Sequence, residues 1–168
     1  MDNPVAYDAA RWVSFFSAET SASAALTGLL FVAISINLRQ IVTNPALGAR
    51  ALKALVSLSA ILLISSVCLV PGQSDRVLAV EIAFAGLILW AAGVTLQHKS
   101  VHDNPYVKRG AKIFHMILAH ASAIPLVLGA RSLFLMRGFG LYWLVVGTLI
   151  CFLSALLDAW VLLIEIQR

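Results

Sequence analysis

The sequence predicts an all-α fold, a polytopic bundle of five helices that each cross a lipid bilayer, and three observations carry that prediction. Hydrophobic residues make up 61% of the 168-residue chain and charged residues only 12%, against about 45–50% and about 25% in ordinary soluble domains. The apolar residues gather into five runs, each reaching the roughly 17–25 residues that a spanning helix needs. The Lys and Arg residues fall almost entirely between those runs, and mean hydropathy is +0.93. So much apolar surface cannot be hidden in one small core. The length also leaves no room for a separate water-soluble unit, so residues 1–168 are read as a single transmembrane domain whose first partner is the lipid bilayer.

The first span covers residues 15–37 and is broken only by Glu19. The second, 54–70, is uncharged, and the third, 77–97, holds Glu81 alone. The fourth, 113–130, contains His115, His120 and Pro125, and the fifth, 139–164, holds Asp158. The second and fourth only just reach spanning length, and both can extend inward. Asn44-Pro45 and Asn104-Pro105 each offer an N-cap residue followed by proline at the first helical position. Pro71-Gly72 ends the second helix, and Arg137-Gly138 lies just before the fifth. Met1-Asp2-Asn3-Pro4 is not basic and the first run is too long for a signal peptide, so no cleavage is expected. Cys68 and Cys151 both lie inside runs, at depths that differ by roughly 7 Å. Two buried thiols are expected there rather than a disulfide.

Formal charge is +4 and the pI near 9.4. A nucleic-acid binder would display that basicity on a polar, aromatic-rich face, whereas here it lies between apolar runs, so no nucleic-acid partner is expected. Five spans put Arg11, Arg76, Arg131 and Arg137 on one side. The other side takes Arg39, Arg50, Lys53, Lys99, Lys108, Arg109, Lys112 and Arg168. The positive-inside rule assigns the richer side to the cytoplasm, with the N-terminus outside and the C-terminus inside. Trp12, Tyr142 and Trp143 then form an outer aromatic belt, with Tyr106 at the inner interface. A faint parallel repeat is visible: Glu19 precedes Asn44-Pro45 by 25 residues, and Glu81 precedes Asn104-Pro105 by 23.

Glu19 is the most informative residue, because an ionised carboxylate in lipid costs about 2.5 kcal/mol or more. Glu19, Ser23 and Thr27 repeat every four residues, with Ser35 further along, so a hydroxyl stripe runs down one face from the carboxylate. Ala24-x-x-x-Gly28 adds a small-residue seam on which another helix can pack closely. Glu81 is expected at nearly the same depth as Glu19, with Arg131 within reach, as an ion cluster or a cation-attracting vestibule. Asp158 and His115 are expected at a common inner level, and His120 near the midplane. Ionisable groups at outer, middle and inner levels are what a proton or ion relay requires, and also what scattered interhelical hydrogen bonds look like.

His98 and His102 are spaced i, i+4 but run into Asn104-Pro105, a turn signal. Haem held by two histidines needs ligands on facing helices, and only the fourth span offers any. No metal or cofactor is expected. No Gly-rich phosphate loop, H-E-x-x-H or G-x-S-x-G occurs, so the chain is not read as an enzyme.

The first helix, Ser21-Ala22-Ser23-Ala24-Ala25-Leu26-Thr27-Gly28-Leu29-Leu30-Phe31-Val32-Ala33-Ile34-Ser35-Ile36-Asn37-Leu38, resembles that of a family of small bacterial multi-pass membrane proteins. Some members of that family carry the label of modulator of the FtsH membrane protease. The resemblance covers this helix and extends elsewhere only to Pro71-Gly72 after the second helix. It implies a bacterial inner-membrane location and transfers no catalytic residue.

Two functional expectations follow. The first is a homo-oligomeric channel or small transporter for protons or cations, in which Glu19 and Glu81 attract the ion, Ser23 and Thr27 hydrate it, and His115, His120 and Asp158 lie below. The second is a non-transporting regulator that binds another membrane protein, such as a membrane protease, through Ala24 and Gly28.

Overall fold

The computed structural model describes the backbone of residues 4–102 and 109–166, and side chains of residues 5–96, 110, 113 and 116–164. Two short 3-10 turns, Pro4–Ala6 and Ala9–Trp12, lead into six α-helices. These are α1 (Val13–Ile36), α2 (Leu38–Thr43), α3 (Pro45–Cys68), α4 (Asp75–His102), α5 (Arg109–Leu135) and α6 (Tyr142–Ile166). All but α2 are long and apolar enough to cross a membrane, and no strand occurs among the described residues. The all-α fold with five spans is therefore as expected.

Helix boundaries follow local chemistry. Asn44 caps α3 with its side-chain oxygen, which accepts from Ala46 N–H at 3.1 Å, and Pro45 takes the first helical position. The second span thus begins at residue 45 and not at 54, as the cap allowed. Asn37 breaks the first run in an unforeseen way. Its Nδ2 donates to the Ala33 carbonyl at 2.9 Å, and the chain turns into the short α2. Gly72, at φ +72, closes the α3–α4 turn. The Asn104-Pro105 cap, Tyr106, Asp103 and Lys108 lie outside the described residues, as do Arg168 and the side chains of His98, Lys99, His102, Arg109, Lys112 and His115.

Helix α3 is the hub. It packs against α1, α4 and α6, and α5 closes the ring by packing against α4 and α6. Helices α3 to α6 thus form an up-down-up-down four-helix bundle, with α1 added outside on α3. Burial follows this arrangement: 56% of the α3 span is buried but only 17% of the α1 span. Outward faces are strongly apolar. Leu29 and Ile36 on α1 are 68% and 78% exposed, and Phe84 on α4 and Trp160 on α6 are 66% and 63% exposed. Water would not tolerate that much contiguous apolar surface; lipid does.

The α5–α6 contact is knitted reciprocally by two glycines. A Cβ on Gly147 would meet Leu126 Cδ2 at 2.7 Å, and one on Gly129 would meet Leu144 Cδ1 at 2.4 Å. Each leucine fills the space the other helix leaves. Cys68 and Cys151 are buried and unbridged, as expected.

The segment before α1 folds over the end of the bundle where α1 begins, here called the upper end. Leu141 N–H donates to the Ala6 carbonyl at 2.7 Å, and the Tyr7 hydroxyl donates to the Gly138 carbonyl at 2.7 Å. Trp12 Nε1 donates to the Val5 carbonyl at 2.8 Å, and its ring stands edge-on to Tyr142 at 4.8 Å. Trp12, Tyr142 and Trp143 therefore share one end of the bundle, as an interfacial belt would. Gly140 makes this closure possible: its φ is +49, and a Cβ there would lie 2.0 Å from the Ala6 carbonyl oxygen. Gly140→Ala is expected to cost at least about 1–2 kcal/mol from the left-handed backbone alone and to expel the segment. A lower unfolding temperature in detergent, with faster proteolysis near residues 5–10, is the readout.

Candidate functional site: a polar seam between α3 and α6

Two polar groups of residues sit at different levels of the α3–α6 contact. The upper one is built around Glu19, which is 6% exposed and lies on the narrow buried face of α1 with Phe16, Ser23 and Leu30. Ser65 on α3 donates its hydroxyl to Glu19 Oε2 at 2.9 Å. Thr148 on α6 donates to Oε1 at 2.5 Å. One carboxylate thus ties three helices together. Lipid offers the buried Glu19 carboxyl no water to bond, so these two hydroxyls meet its need for partners.

The lower group is an ion pair. Lys53 Nζ lies 2.9 Å from Asp158 Oδ2, with both side chains almost wholly buried at 6% and 2% exposure. Lys53 is eight residues inside α3, so it stands about 12 Å from the start of that helix. Either charge alone would be costly in the bundle, and each makes the other tolerable. Between the two groups the seam stays small and partly polar. Ser57 and Ser154 lie one turn from Lys53 and Asp158, followed by Ile61 and Cys151, all buried. From Lys53 to Ser65 the seam runs roughly 18 Å along α3.

Lys53 was expected among the inner loop cations; it is instead a core residue, because the Asn44 cap starts the helix well before it. Asp158 was expected to meet His115, whose side chain lies outside the described residues; its Oδ2 bonds Lys53. The expected cluster of Glu19, Glu81 and Arg131 does not form. Glu81 is exposed on α4 and accepts a hydrogen bond from Gln73 Nε2, while Arg131 is exposed at the upper end of α5. No ion pair joins Arg131 to either carboxylate among the described residues. Glu19 turns toward α3 and α6, whereas Glu81 points away from the bundle.

The stripe on α1 is also divided. Ser23 is buried and donates to the Glu19 carbonyl at 2.7 Å, and half-buried Thr27 donates to the Ser23 carbonyl at 2.7 Å. Ser35 is exposed and donates to the Phe31 carbonyl. These hydroxyls satisfy their own helix, and the face bearing Glu19 and Ser23 points into the protomer. Ala24 and Gly28 lie on the opposite, exposed side, and nothing stands within 4 Å of where a Gly28 Cβ would be. His120 is half-buried on the lateral face of α5, not in the bundle interior.

Comparison with family models, with curated proteins and with solved structures finds no match to this chain.

Because each charge screens the other, single and double substitutions are expected to differ. Lys53→Met and Asp158→Leu should each destabilise the fold, and the two together should cost less than the sum of the single changes, because they remove one shared contact. Equilibrium unfolding in mixed micelles reads the cycle. Ser65→Ala and Thr148→Val should each cost about 0.6 kcal/mol and at most about 1.7 kcal/mol, the range for interhelical bonds in membranes. Protease access to α1 should rise in the same order.

Proposed function

We propose that this protein is a membrane-embedded binding subunit that docks a helix of another integral membrane protein on the outer face of α1, and that it does not transport. One observation carries the reading. Ser14, Ser17, Ser21, Ala24, Gly28, Phe31 and Ser35 follow one another at alternating spacings of three and four, and all seven are exposed. That is the spacing of a helix–helix seam crossing at a shallow left-handed angle, and six of the seven side chains are small enough for close backbone approach. The seam runs the whole length of a helix that is little buried in its own bundle. Its hydroxyls at Ser21 and Ser35 are already bonded to carbonyls one turn back, so a partner gains close packing without leaving donors stranded.

The cation-pathway reading rested on the Glu19 stripe, and the geometry counts against it. Both carboxylate oxygens are engaged by Ser65 and Thr148, and Ser23 and Thr27 spend their hydrogens on α1 itself. The resemblance of the first helix makes a membrane protease of the bacterial inner membrane the partner class to try first.

Co-purification from native membranes tests the proposal. Gly28→Leu and Ala24→Leu should each reduce recovery of the partner tenfold or more while the bundle stays folded, and Glu19→Gln should reduce it less. Proteoliposomes should show no proton or cation flux under any gradient. Flux that disappears with Glu19→Gln would restore the transport reading.

A further inference from the structure

On the side of the bundle away from α1, the outer face of α5 carries a shallow, open apolar groove, and with Trp90 of α4 beside it this face presents two complementary polar atoms. The groove is lined by Ile113, Met116, Ile117, Ala121 and Ile124 with His120 among them. Trp90 stands beside it on α4, 43% exposed, with its ring edge-on to the imidazole at 6.2 Å. Each residue lies fifteen positions from the upper end of its helix, Asp75 for Trp90 and Leu135 for His120. Both are therefore about 22 Å down, inside the roughly 30 Å of hydrocarbon.

The hydrogen-bond inventory at this spot is lopsided. His120 Nδ1 lies 2.8 Å from the Met116 carbonyl oxygen. A carbonyl only accepts, so Nδ1 carries the hydrogen and Nε2 of the neutral ring is an acceptor. Trp90 Nε1–H is a donor and nothing else. Neither atom has a hydrogen-bond partner among the described residues. Lipid supplies neither donor nor acceptor, and polar side chains in membranes almost always turn toward protein.

We infer that this face is the interface with a second copy of the chain, related by a two-fold axis along the membrane normal. Such an axis preserves depth, so the Trp90 of each copy arrives level with the His120 of the other. A self-complementary contact then forms twice: indole N–H of one copy to imidazole Nε2 of the other, and the reverse. A lipid chain in the groove would fill the space but leave both atoms unmatched. The second copy does both. Exposed Leu87, Ile117 and Ile124, at 55%, 62% and 52%, supply the apolar surround. Because α1 packs on the α3–α6 side of the ring, this contact leaves the small-residue seam open, and the inference does not rest on the proposed docking there.

The full-length chain, labelled and reconstituted in phospholipid vesicles over a range of protein densities, gives the test by single-molecule photobleaching. Wild type should dimerise with increasing density. His120→Phe and Trp90→Phe should each weaken the dimer about tenfold, since either removes both symmetric bonds. Should either variant misfold, cross-linking keeps the question answerable: Ala121→Cys in the otherwise unchanged chain should form a disulfide-linked dimer under mild oxidation, whereas Gly28→Cys should not. A chain that stays monomeric at every density overturns the inference, as does a dimer indifferent to both substitutions or linked through Gly28→Cys instead.

Discussion

The ammonium of Lys53 and the carboxylate of Asp158, 2.9 Å apart, occupy a depth of the bilayer where neither would be stable alone. Their meeting ties α3 to α6 at one level and so sets how the two helices align along their length. That alignment has consequences above it. With Lys53 level with Asp158, Ser65 and Thr148 come level with each other about three turns higher, where both reach the same side chain of α1. Glu19 is therefore held by a register that the lower pair defines.

Helix α1 is held along a narrow strip, by close packing together with those bonds. Only Phe16, Glu19, Ser23 and Leu30 of its length are fully buried. In water so thin a contact would not hold a helix. In lipid there is little hydrophobic gain from burying leucine against leucine, and close packing with a few hydrogen bonds decides which helices associate. Attachment through a narrow polar strip leaves the remaining circumference of α1 uncommitted. The two lateral sides of the molecule thereby acquire different character: small and hydroxyl-bearing along α1, aromatic and aliphatic around Trp90 and His120.

Most of the architecture was legible because hydropathy and capping are local properties. Five apolar runs define five spans, and the Asn44-Pro45 pair marks the start of α3 to the residue. What was not legible was direction around each helix. Glu19 and Glu81 have similar depth in the sequence reading, yet one faces protein and the other faces outward, and only the packing partners distinguish them. Lys53 illustrates the second difficulty. Its charge argued for a loop, while the cap nine residues earlier placed it two turns inside a helix. A lone lysine there, with Ser57 and then Ser65 on the same face and Asp158 on an antiparallel span, was a recoverable signal. Trp90 and His120 lie 30 residues apart, and their equal depth emerges only after helix ends are known on both sides of the α4–α5 connection.

The closure at the upper end has a consequence for how the molecule is made. The Tyr7 hydroxyl and the Gly138 carbonyl it bonds are separated by 131 residues, and Glu19 and Thr148 by 129. At about 5–20 residues per second, a ribosome needs on the order of ten seconds to travel that distance. Through that interval α1 is already in place with its carboxylate only partly engaged, by Ser65 alone once α3 has followed. Thr148 is made last of the three, so the full set of partners for the Glu19 carboxyl is complete only once α6 has been synthesised.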